Sequence, residues 1–85
     1  MIYVNIPFSM HKTLTATIWR ENDGFVSLCP ELDVASQGDS VEEARENLRE
    51  AVELFLESAA PSEIGTRLNP EIYVTPLEVE FEAAA

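Results

Sequence analysis

One cysteine, one histidine, three glycines and five basic residues are spread over an 85-residue chain. Each scarcity excludes something. Cys29 alone cannot form a disulfide within the chain, and with His11 as the single imidazole no Cys/His zinc site can be built from one copy. Three glycines leave no room for a glycine-rich phosphate loop. The cations Lys12, Arg20, Arg45, Arg49 and Arg67 form no run. Nucleic-acid affinity comes chiefly from basic groups neutralising phosphates, so autonomous DNA or RNA binding is not expected, nor adhesion to an anionic membrane. No apolar run reaches the ~18–20 residues of a membrane span. The N-terminus, Met1 to Pro7, has no basic n-region and is not expected to be a signal peptide. A lone free cysteine fits a reducing compartment, so the expected location is the cytoplasm.

Against these absences stand sixteen acidic residues, a net charge of −11, and 46% hydrophobic residues. The apolar content is enough for a core and argues against disorder. The length fits one domain over residues 1–85. A domain this small buries only ~60–65% of its unfolded surface. With disulfide and metal excluded, oligomerisation is the expected support. The acidity keeps the protein soluble and suits a basic protein partner, because opposite charge speeds encounter.

The hydrophobic pattern gives the element order. Ile2, Val4 and Ile6 alternate as a short strand ended by Pro7. Leu14, Ala16 and Ile18 alternate with Thr13, Thr15, Thr17 and Trp19 in a second strand. Glu21-Asn22-Asp23-Gly24 is turn chemistry, and Phe25 to Cys29 returns as a third strand stopped by Pro30. Asp33 to Gln37 reads as a short fourth strand before Gly38, which frees the backbone ahead of a helix. Ser40 and Glu43 stand at capping-box spacing, so the Glu43 carboxylate should reach back to the Ser40 amide. Val41, Ala44, Leu48, Ala51, Val52 and Phe55 recur at helical spacing from Val41 to Ser58. This stripe is expected to pack on Leu14, Ile18, Val26 or Leu28. Residues 61–69 read as a loop with Gly65 and Pro70 as punctuation. Ile72 and Val74, then Leu77, Val79 and Phe81, alternate over residues 71–82 as a last strand, bulged at Thr75-Pro76. The expected fold class is α+β: a small antiparallel sheet with one helix on one face, in the order β-β-β-β-α-β.

Little here can carry chemistry. No base lies near Cys29 in sequence, and Cys29 reads as a small buried apolar residue. The helix acids Glu42, Glu43, Glu46, Glu50, Glu53 and Glu57 read as a solvated face, with Glu42–Arg45, Glu46–Arg49 and Arg49–Glu53 at pairing distance. No catalytic residue, metal ligand or cofactor site is assigned. Leu54 and Leu56 lie off the two edges of the helix stripe. With Leu77, Val79 and Phe81 they are the candidate partner or oligomer interface, most simply of a two-fold dimer.

One stretch is more specific. Asp23-Gly24-Phe25-Val26, then Pro30-Glu31-Leu32, then Gln37-Gly38, then Asp39-Ser40-Val41-Glu42-Glu43-Ala44 opening a helix, resembles the HicB-like antitoxin family. The resemblance covers residues 13–57, about half the chain. Every position in it has a folding job, so it bears on fold before activity. It implies a partial RNase H-like sheet and helix. It also implies a domain that binds and neutralises a small basic RNA-cleaving toxin of the HicA type. Many members carry a C-terminal DNA-binding module. Only Ala83-Ala84-Ala85 follow the last expected strand, so that module is expected to be absent, which puts transcriptional autoregulation in doubt. Three functions follow: the toxin-neutralising domain, which is preferred; an orphan domain that self-associates or binds another protein; and, remotely, a metal-dependent nuclease.

Overall fold

A computed structural model describes residues 12–84. The strand expected over Ile2–Ile6, and His11, lie outside the described residues. Three strands, β1 (Thr17–Glu21), β2 (Gly24–Cys29) and β3 (Val34–Gly38), precede two helices, α1 (Val41–Ser58) and α2 (Pro61–Arg67). The sheet is an antiparallel meander, β1-β2-β3. The α+β class and the single long helix agree with the sequence reading. The order differs: among the described residues it is β-β-β-α-α.

The hairpin turns where the sequence places it. Glu21 pairs with Gly24 across Asn22-Asp23, and Asn22 takes the left-handed conformation that asparagine tolerates (φ 55°). β1 starts at Thr17 rather than Thr13, and Pro30 supplies the reason. Continuing the register from Thr17↔Leu28 puts Thr15 opposite Pro30, which has no N–H to donate. The Thr15 amide instead donates to the Glu31 carboxylate, at 3.0 and 2.8 Å. The turn into β3 is tight, with Leu32 N donating to Cys29 O at 3.3 Å and Asp33 left-handed (φ 55°).

Register decides which face meets α1. Ile18 pairs with Ser27, Ser27 with Ser36, and Cys29 with Val34, so these side chains share one face. Ser27 Oγ donates to the Ala44 carbonyl at 2.8 Å, which identifies that face as the one under α1. Val26 and Leu28 therefore point to the opposite face, correcting the expectation that they meet the helix. The core is Cys29, Leu32, Leu48 and Val52, with Leu14, Val34, Phe55 and Leu68 packed against it. Ala44 is also fully buried, whereas Val41, first in the stripe, is exposed.

The helix start follows the sequence closely. The Glu43 amide donates to Ser40 Oγ at 3.0 Å. The reciprocal bond shifts by one residue: Glu43 Oε1 accepts from the Asp39 amide at 3.2 Å rather than from Ser40. Gly38 is needed for a reason other than backbone freedom, since its φ is not positive. A Cβ there would lie 2.5 Å from Ala44 N and 2.8 Å from Glu43 C. The absent side chain is what lets β3 meet the first turn of α1.

Two further expectations fail past α1. Residues 61–67 form α2 rather than a loop. Pro61 occupies its first turn, where a missing N–H costs nothing, and Glu63 and Arg67 suit the two ends of the dipole. Among the described residues the strand expected over 71–82 joins no sheet: residues 70–84 make no backbone hydrogen bond to any other described residue. The last anchor is the Asn69 amide, which donates to the Glu31 carbonyl at 2.7 Å. The radius of gyration is 17.9 Å, well above the ~12 Å of a compact chain of this length.

Candidate functional site

Glu31 is the one buried acid among the described residues. Its carboxylate accepts from Thr15 N and from Thr15 Oγ1 at 2.7 Å, and Cys29 Sγ lies 3.5 Å away. Desolvation works to raise its pKa, but the hydrogen bonds from Thr15, its own backbone and Cys29 outweigh it and hold the group below its ordinary value. Burial pushes the Cys29 thiol up, and the neighbouring carboxylate adds to that. The thiol is thus held protonated, the unreactive form. The cluster fastens the chain before β1 to the β2–β3 turn, and Asn69 joins it through the Glu31 carbonyl. Its evident role is that of a structural clamp.

The outer face of α1 is acidic. Arg49 donates through Nε to both Glu46 oxygens at 3.1 Å, and through Nη1 to Glu53 at 2.8 Å. The Arg49 hydrogen bond lowers the Glu46 pKa, and the two carboxylates raise that of Arg49. Glu42, Glu50 and Glu57 make no ion pair among the described residues. One guanidinium thus sits among several carboxylates, and the face keeps a negative balance.

Apolar surface is also exposed. On the open face of the sheet, Trp19, 43% exposed, pairs with Val26, and Thr17 with Leu28. Beside α1 runs a groove of about 1080 Å³, bounded by Leu14 and Ala16 on one side and Leu48, Val52 and Leu56 on the other.

The five residues expected at an interface are all exposed: Leu54 64%, Leu56 40%, Leu77 85%, Val79 67% and Phe81 80%. The structure does not bring them together. Leu56 borders the groove and Leu54 does not, while the other three stand on the C-terminal segment, which is unpaired among the described residues. The groove and the Glu31 clamp were not read from the sequence. The one available hint was the Pro30-Glu31 pair, where a lost ladder donor adjoins an acceptor.

No family model matches the chain, and no solved structure matches it. A curated relative does. The chain is similar to the UPF0150 protein of Helicobacter pylori strain J99, 32% identical over 69 residues, covering 80% of this chain and 96% of that protein. The chain belongs to the UPF0150 family. No helix among the described residues is long and apolar enough to cross a membrane.

Proposed function

We infer that this protein is a HicB-like interaction domain of the antitoxin type, which binds and neutralises a small basic RNA-cleaving toxin of the HicA type. The observation that carries the reading is the signature from Asp23 to Ala44, which the UPF0150 relationship supports at the level of family. Its parts occupy coherent positions: Asp23-Gly24 at the hairpin, Pro30 at the ladder's end, Gly38 against the helix backbone, and Ser40 at the cap. The partial RNase H-like topology belongs to the same reading.

The surface suits such a partner. A net charge of −11 and an acidic outer helix face would steer a basic protein to the domain and penalise acidic competitors. Neutralisation by binding requires no catalysis, and none is assigned. A reducing, cytoplasmic setting would keep Cys29 a thiol.

The test is a search beside the gene for a small basic reading frame, followed by co-expression. Growth arrest by that frame alone, relieved by this protein, supports the reading. A stable protein lacking any such neighbour supports the orphan alternative. Incubating the clean protein with single- and double-stranded RNA plus Mg²⁺ or Mn²⁺ tests the nuclease alternative; turnover abolished by a point change in this chain would establish it.

A further inference from the structure

The turn between β2 and β3, residues 30–33, is gripped from two distant parts of the chain. From before β1, Thr15 donates through its amide and its Oγ1 to the Glu31 carboxylate, at 2.8 and 2.7 Å. From beyond α2, the Asn69 amide donates to the Glu31 carbonyl at 2.7 Å. Arg67, at the end of α2, donates through Nη2 to the Asp33 carbonyl at 2.8 Å, with its guanidinium over the Phe55 ring. Leu14 and Leu68, next to these donors in sequence, pack against the core cluster that contains Leu32. One residue, Glu31, thus holds the earlier segment by its side chain and the later one by its backbone.

Burial makes the two grips interdependent. Glu31 is only 6% exposed, and an ionised carboxylate at that depth needs its donors. Once Thr15 withdraws, the carboxylate must turn out to water, and the peptide whose oxygen holds Asn69 belongs to the same residue. The turn has little slack to absorb this. Asp33 is held left-handed (φ 55°), a conformation that a non-glycine residue keeps where its surroundings fix it. The sheet and α1 have bonds of their own that do not pass through Glu31: the two strand ladders, and Ser27 Oγ on the Ala44 carbonyl.

We propose that this turn is a conformational latch that couples the lead-in to β1 with the root of the C-terminal segment, so that the two are held or released together while the sheet and α1 stay closed. Such opening of one unit below global unfolding is common in folded domains. A ligand that orders or displaces either segment acts on the other through Glu31, and by linkage the coupling runs equally in both directions.

Residue-resolved amide hydrogen exchange on the full chain tests the latch. Thr15→Val removes the hydroxyl donor at one end, and Arg67→Met removes the exposed guanidinium at the other. Thr17→Val, which deletes a hydroxyl bonded to the Leu28 carbonyl, is the control. Circular dichroism checks that each variant folds. The expected result is exchange at least about tenfold faster, the scale of one lost hydrogen bond with a charged partner, at both residue 15 and Asn69 in both Thr15→Val and Arg67→Met. Amides of β2 and α1 should hold their rates, and Asn69 should hold its rate in Thr17→Val. Acceleration confined to the side that carries the substitution overturns the proposal. So does acceleration spread evenly over β2 and α1, an equal response of Asn69 to Thr17→Val, or no acceleration at all.

Discussion

Replacing Gly38 by alanine puts one methyl group where the structure has no space. The added Cβ would stand 2.5 Å from Ala44 N, 2.8 Å from Glu43 C and 3.0 Å from Ala44 Cα. All three are backbone atoms, so no rotamer change relieves the contact. Either β3 or the first turn of α1 must shift, and Ala44 is itself fully buried. Its carbonyl also accepts from Ser27 Oγ, so the shift strains that bond too. Overpacking of this kind costs about 1–3 kcal/mol, sometimes more. The smaller conformational freedom of the unfolded alanine chain returns about 0.4–1 kcal/mol. A net loss of about 1–2 kcal/mol is a large part of a small domain's stability. Gly65→Ala is the control: nothing lies within 4 Å of its added Cβ, and Gly65 is inside α2, where alanine is favoured by about 0.5–1 kcal/mol. Urea melts followed by circular dichroism should show the midpoint falling for Gly38→Ala and holding or rising for Gly65→Ala. An unchanged midpoint for Gly38→Ala, at unchanged slope, would refute the close approach of β3 to α1.

Leu48→Ala should cost about 2–5 kcal/mol in the same melts, as truncation of a buried leucine does, whereas Phe55→Ala, at a half-buried position under the Arg67 guanidinium, should cost less. Glu31 has a folded pKa below its unfolded one, so its contribution is present above the unfolded value of about 4.3 and is lost as pH falls through the folded value; Glu31→Gln should flatten the acid limb of a stability-versus-pH curve below about pH 4. Cys29, buried and with a raised pKa, should react with a thiol reagent at pH 8 only through opening of the fold, so labelling should accelerate in urea in step with unfolding. Arg49→Ala, which removes only exposed ion pairs, should leave the melting midpoint nearly unchanged.

The parts legible in the sequence were those fixed by local physics. Ser40 caps, the 3.6-residue stripe continues and Pro61 ends it, so α1 could be bounded from its residues alone. The Asn22-Asp23 hairpin was legible for the same reason. Which face of β2 meets α1 was not: Val26 and Leu28 are more apolar than Ser27 and Cys29, yet the register buries the smaller pair because Ala44 and its carbonyl come close there. α2 was hidden by Gly65 and by Pro61, which reads as a breaker unless it stands in the first turn. The alternation from Leu77 to Phe81 reads as a strand in the sequence, yet among the described residues no strand forms there, because periodicity names no partner. That Leu54, Leu56, Leu77, Val79 and Phe81 are apolar residues out of place was legible, whereas the groove beside α1 was not, because Leu14, Leu48 and Leu56 come together only through the tertiary fold.

The central claim, that this domain acts by binding a small basic partner, is tested most directly by calorimetric titration. The probe is the purified product of the small basic reading frame next to the gene, carried as a catalytically dead variant. The account predicts saturable binding that weakens as salt rises, because opposite charges are screened, and that weakens further when Glu42, Glu46 and Glu50 on α1 are changed to glutamine. Absence of binding at low salt, or binding indifferent both to salt and to those three carboxylates, would contradict it.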